Sequence, residues 1–110
     1  RVVHELALME GVVEHVIDHV DAHVARVTLE IGELAGVDLD ALRFCFGVCS
    51  EGTVLASAEL EILRIAARAR CDTCGGEHPA SSLAAPCPCG SFARVLVAGD
   101  ELRLKHVEVF

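Results

Sequence analysis

Four of the six cysteines stand in two close pairs, Cys71-Asp-Thr-Cys74 and Cys87-Pro-Cys89. Zinc takes four ligands in a tetrahedron, and thiolate sulfur suits it. Two cysteines one or two residues apart can reach one ion from a single tight turn, and two such turns facing each other complete the shell. The natural ligand set is Cys71, Cys74, Cys87 and Cys89. Gly75 and Gly90 follow the two pairs and allow the turn a knuckle requires. The second pair has one spacer residue, not two, which strains its knuckle and makes His78 the reserve ligand. Close pairs separated by a gap fit a structural metal in a reducing compartment better than disulfides. A redox dithiol at Cys71 and Cys74 would open a helix, whose dipole lowers the thiol pKa, and no apolar helical stripe follows Cys74.

Histidine is the other group that could do chemistry. His4-Glu5 opens a helical pattern, where an imidazole taken alone is more often a solvated helix-end residue. His15, His19 and His23 recur four apart, either as an auxiliary metal face or, as the preferred reading, a solvated one. Cys45 and Cys49, also four apart, fall on an apolar helix face and are expected in the core. Ser81 and Ser82 have no base at a recognisable spacing, and no Gly-rich phosphate loop is present. The sequence carries no hydrolase or nucleotidase signature.

The elements that must position these groups follow from periodicity. His4 to Val24 reads as an amphipathic helix, with Leu6, Met9, Val13, Val16, Ile17, Val20 and Val24 on one face. Val27 to Ile31 alternates as a half-buried strand. Asp38 is an N-cap for a second helix ending at Gly52. A strand starts at Glu59 and runs towards Ala69. Gly, Pro, Ser and Cys dominate from Arg70 to Gly90, a loop-rich stretch that needs a staple. Strands follow at Arg94 to Val97 and Leu102 to Val109. The last is expected to return to the first sheet, which makes the cysteine segment an insertion. The expected fold is α+β: two helices packed on a small, mostly antiparallel sheet, with an inserted zinc-ribbon-like module. Residues 1–69 and 98–110 would form the main domain and residues 70–97 the module.

The composition bounds the function. The chain has 110 residues with a formal net charge of −8, which argues against nucleic-acid binding through phosphates. An acidic surface suits divalent cations or a basic partner. The apolar runs are too short to cross a bilayer, and there is no apolar signal segment. The expected location is the cytoplasm. With four Phe and no Trp or Tyr, aliphatic side chains must fill the core.

Taken together, the chain resembles the HypA/HybF family of nickel-iron hydrogenase maturation factors along nearly its whole length. The resemblance is carried by His4-Glu5-Leu6-Ala7, Ile31-Gly32-Glu33-Leu34, Cys71-x-x-Cys74-Gly75, Cys87-Pro-Cys89-Gly90-Ser91, Gly99-Asp100-Glu101-Leu102 and Val107-Glu108-Val109, in that order. It implies a metallochaperone and not an enzyme, with structural zinc and with nickel(II) as transferred cargo. His4 would be the nickel ligand, Glu5 its neighbour, and Asp38 a nearby carboxylate. The implied partners are a HypB-type GTPase and the hydrogenase large subunit, with urease a further client of some members and room for a homodimer. Nickel(II) favours square-planar nitrogen donors. An imidazole, its own backbone nitrogen and an amine just before it can wrap one ion. Family members begin Met-His-Glu, whereas Arg1-Val2-Val3 precede His4 here; Val3 read as an initiating Met, through a GUG codon, would restore that arrangement. The competing expectation is a zinc-ribbon adaptor that docks proteins without carrying nickel.

Overall fold

The computed structural model describes residues 4–80 and 84–110. The expectations that concern Arg1-Val2-Val3, and those for Ser81 and Ser82, lie outside these residues.

Helix α1 spans Glu5–His19 and buries Met9, Val13 and Val16, the centre of the expected stripe. Leu6 and Ile17, at its flanks, remain 49% and 42% exposed. The helix is shorter than its periodicity suggests. Val20 is already extended at φ −129°, ψ 120°, although its N–H still donates to Val16 O. Val24 opens strand β1 (Val24–Gly32) instead of closing the helix. Residues 16, 20 and 24 continue the i, i+4 rhythm, so periodicity alone runs past the true end.

Helix α2 spans Leu39–Ser50 and buries Leu42 and Phe46. Asp38 caps it as expected: its Oδ1 accepts from the N–H groups of Asp40 (3.0 Å) and Ala41 (3.1 Å). These bonds satisfy two of the donors that a helix start leaves open. The turn after α2 carries Gly52 at φ 71°, and Leu55 beyond it is fully buried. Strand β2 covers Glu59–Ile65. Cys45 and Cys49, expected in the core, are only half-buried. Cys49 lines a surface cleft with Glu10, Val13, Glu14 and Ile17. Burial and the nearby Glu10 carboxylate push the Cys49 thiol pKa up.

The strand expected to run from Glu59 to Ala69 is interrupted. β2 ends at Ile65, and β3 (Arg68–Cys71) belongs to another sheet. Between them the Ala67 N–H donates to the Glu33 carboxylate at 2.8 Å, which takes it out of any strand ladder. β3 is central in a three-stranded sheet with β4 (Glu77–Pro79) on one side and β5 (Arg94–Ala98) on the other, both antiparallel to it. Part of the stretch read as loop is therefore sheet; its strands are too short, and too rich in small and polar residues, to show a period. β6 (Leu102–Val109) joins the first sheet, in the order β2-β1-β6, as expected.

Among the described residues the chain forms two compact units. One takes residues from Arg1–Leu29, Gly36–Leu63 and Arg103–Phe110, the other from Glu30–Ala35 and Arg64–Leu102. The first has an aliphatic core of Met9, Val13, Val16, Val24, Val27, Leu29, Leu42, Phe46 and Leu55. The second buries mostly small side chains, including Ala35, Ala67, Ala69, Cys71, Ala80 and Cys87.

Within the second unit, residues 32–34 cross very close to residues 65–67 and 99–101. The Gly32 N–H donates to Glu101 O (2.8 Å), Glu33 N–H to Ile65 O (2.8 Å) and Leu34 N–H to Gly99 O (2.6 Å). A Cβ on Gly32 would lie 2.1 Å from Gly99 O, and one on Gly99 would lie 2.6 Å from the Cα of Ala67. Gly99 also has φ 117°. Both positions require glycine for close backbone approach. Gly32-Glu33 and Gly99-Asp100-Glu101 are thus the parts of one backbone clamp.

Candidate metal centre

The two cysteine pairs meet. One sulfur from each of Cys71, Cys74, Cys87 and Cys89 lies within 4.8 Å of every other. Cys71 Sγ is 3.6 Å from Cys89 Sγ, and Cys74 Sγ is 3.7 Å from Cys87 Sγ. A tetrahedral zinc with Zn–S near 2.3 Å places its sulfurs about 3.8 Å apart. A disulfide needs about 2.05 Å, and all six cysteines are free. The donor set and its spacing fit zinc.

The local backbone explains the convergence. The first knuckle begins at the end of β3, where the Gly75 N–H donates to Cys71 O (2.9 Å) and the Cys71 N–H to Gly76 O (2.9 Å). The N–H groups of Thr73 and Cys74 both donate to Cys71 Sγ at 3.4 Å. The second knuckle closes in a tighter turn, in which the Gly90 N–H donates to Cys87 O (2.7 Å). Gly75 and Gly90 have φ 74° and 94°, conformations costly for other residues. The shorter turn accommodates the missing spacer residue, so all four sulfurs arrive without His78. His78 instead accepts a hydrogen bond at Nε2 from the Arg94 guanidinium at 2.9 Å. Two bonds join the knuckles: Thr73 Oγ1 donates to Ser91 Oγ (2.8 Å), and Asp72 N–H to Ala93 O (2.7 Å). Ser91 and Ala93 were not singled out in the sequence, and only the Gly90-Ser91 motif hinted at the former.

The electrostatics of the pairs are unequal. Backbone N–H groups, first that of Cys74 and then that of Thr73, lower the Cys71 thiol pKa to about 6 against the opposing effect of burial. At Cys87 the backbone N–H of Cys89 pulls the same way. Burial and the neighbouring sulfurs outweigh it and push the thiol up to about 12. Cys71 is the readier thiolate of the two, and a cation held by all four sulfurs would require Cys87 to give up its proton.

His4, Glu5 and Asp38 lie in the first unit. His4 is the N-cap residue of α1, extended at φ −98° and ψ 106°, and its side chain makes no capping bond. Glu5 Oε2 accepts the Asp38 N–H at 3.1 Å, which ties the first turn of α1 to the start of α2. Glu5 and Asp38 are therefore neighbours, and His4, which precedes Glu5 in the chain, is exposed. Among the described residues, the four cysteines are the one group of three or more donors gathered closely enough to hold an ion.

The expected triplet His15, His19 and His23 is divided by the end of α1. His15 and His19 stack, with ring centroids 4.3 Å apart. His23 lies beyond the helix, in the approach to β1.

A two-helix α+β unit joined to a second unit with a four-thiol knuckle site defines a small metal-binding protein. Comparison with known proteins carries this further. The family model described as "Hydrogenase/urease nickel incorporation, metallochaperone, hypA" matches residues 3–109. A hydrogenase maturation factor HypA of Nostoc punctiforme is 44% identical over 107 residues, covering 96% of this chain and 95% of that protein. One from a Geobacter species is 43% identical over 108 residues, covering 96% and 98%. A solution structure of a HypA protein superposes with a TM-score of 0.70 at 25% identity, over 97% of this chain and 96% of that one. The solution structure of the nickel metallochaperone HypA from Helicobacter pylori gives 0.66 at 24% identity, over 98% of both, and supports the fold. The chain belongs to the HypA family of nickel metallochaperones for hydrogenase maturation. Among the described residues, no helix is long and apolar enough to cross a membrane.

Proposed function

We propose that this chain binds nickel(II) at His4, with Glu5 beside it and Asp38 close by, and hands it on for the maturation of nickel-iron hydrogenase. Cys71, Cys74, Cys87 and Cys89 hold a structural zinc. The protein acts in the cytoplasm as a carrier and not a catalyst. It works with a HypB-type GTPase and delivers to the hydrogenase large subunit; urease is the second client class. Residues 70–97 form the zinc module, and residues 1–69 with 98–110 the nickel-binding part.

The observation that carries the nickel reading is the bond between Glu5 Oε2 and the Asp38 N–H. It brings two carboxylate residues together at the start of α1, next in the chain to His4, and so supports the reading. Asp38 Oδ1 already accepts two N–H groups, so a metal ion must compete with a helix cap for that oxygen. Such competition suits a carrier that must let go. His4 offers both an imidazole and a main-chain nitrogen to one chelate, as square-planar nickel favours.

The test is calorimetry of nickel(II) into a version starting at position 3 with methionine, and into the same protein with His4→Ala. The first binds one nickel tightly. The second loses that binding and keeps its zinc. Equal nickel binding by both would remove His4 from the site. No tight nickel binding by either would leave the zinc-ribbon adaptor.

A further inference from the structure

We propose that α1 carries a second, independent site for a divalent transition-metal ion, formed by His15 and His19 on its exposed last turns. Both side chains are exposed, and their rings stack at 4.3 Å between centroids with 29° between planes. Residues four apart on a helix project side by side, so two imidazoles at this spacing can grip one ion.

The hydrogen bonding sets the donor atom. His19 Nδ1 is 2.8 Å from His15 O. A carbonyl can only accept, so Nδ1 carries the proton and Nε2 keeps its lone pair facing outward. Bonding one ring nitrogen to a carbonyl while the other meets the metal is how proteins orient and polarise a histidine ligand. The His15 ring can then turn about its soft χ2 torsion to share the ion.

The surroundings favour a cation. His19 is the last residue of α1, where the carbonyl end of the helix dipole attracts positive charge. Glu14 and Asp18 are exposed neighbours on the same turns. One turn before His15, Gly11 has nothing within 4 Å of where a Cβ would stand, so the approach is open. Two protein nitrogens leave the other coordination positions to water or to a second protein. The ions that fit are those that accept imidazole, copper(II), nickel(II) and zinc(II), with copper tightest. His23 takes no part because the helix ends before it. Along the helix axis, His15 lies about 16 Å from His4, too far to share an ion with it.

The test uses the full chain with its thiol site filled by zinc. Nickel(II) chloride is titrated in while the histidine ring signals are followed by NMR, and calorimetry gives the affinity. The His15 and His19 ring signals broaden together. His15→Ala and His19→Ala each weaken that binding about tenfold or more, His23→Ala leaves it unchanged, and helical circular dichroism is retained in all three. Unbroadened His15 and His19 signals at saturating nickel would overturn the proposal, as would unchanged affinity in both single variants. His4→Ala separates the two nickel sites: retained broadening at His15 and His19 supports this one whatever becomes of the N-terminal site, and its loss overturns their independence.

Discussion

At Cys89 a thiol arrives one residue early, and the chain absorbs the difference in the turn from Cys87 to Gly90. The clustering of the four sulfurs was legible because covalent spacing limits where sulfurs can go. The hydrogen bonds that aim them were not, since the N–H groups of Thr73 and Cys74 leave no mark in composition. Nor could spacing show that Glu5 meets Asp38, 33 positions away; the N-cap pattern at Asp38 placed a helix start but not its neighbour. With all four thiols engaged, the zinc edge should show four sulfurs near 2.3 Å by X-ray absorption. Cys89→Ser should lower the zinc content and leave the His4 nickel response intact. A shell dominated by oxygen and nitrogen in the unsubstituted protein would refute the four-thiol assignment.

The elements were legible where one rhythm holds and illegible where two coincide. Met9, Val13 and Val16 mark α1 correctly, yet Val20 and Val24 fit a helix rhythm equally well and belong to a connection and a strand. β3 was merged into the strand expected to run to Ala69, because its buried row of Ala69 and Cys71 gives little apolar contrast, and the three residues of β4 went unseen. The glycine clamp was visible as motif residues without its reason, which is backbone-to-backbone approach. Gly99→Ala tests that reason. Added methyl bulk meets the backbone of Ala67, and φ 117° suits only glycine. The loss should exceed the roughly 1 kcal/mol of an ordinary glycine substitution. Denaturant unfolding of zinc-loaded protein measures it. A change below that figure would show that the backbone at residues 65–67 and at Gly99 parts easily.

For the molecule as a whole, the small side chains inside the second unit lead to an expected dependence on metal. Burying Ala35, Ala67, Ala69 and Ala80 removes little apolar area, so a metal at the thiol site is expected to supply much of the unit's stability. Chelating the zinc should abolish amide protection across residues 70–97 and weaken it at residues 30–35. Met9, Val13, Leu29 and Leu42 should stay protected in the aliphatic core of the other unit. Hydrogen exchange followed by mass spectrometry reads this directly, and even loss along the entire chain would contradict it. The path of the backbone carries a practical consequence. It passes from one unit to the other after residues 29, 35, 63 and 102, so neither unit is a contiguous stretch of gene. Residues 64–102 moved alone into another protein would leave behind Gly32, Glu33 and Leu34, whose N–H groups donate to Glu101 O, Ile65 O and Gly99 O. A transplanted cysteine segment should therefore need residues 30–35 supplied with it to recover its backbone partners.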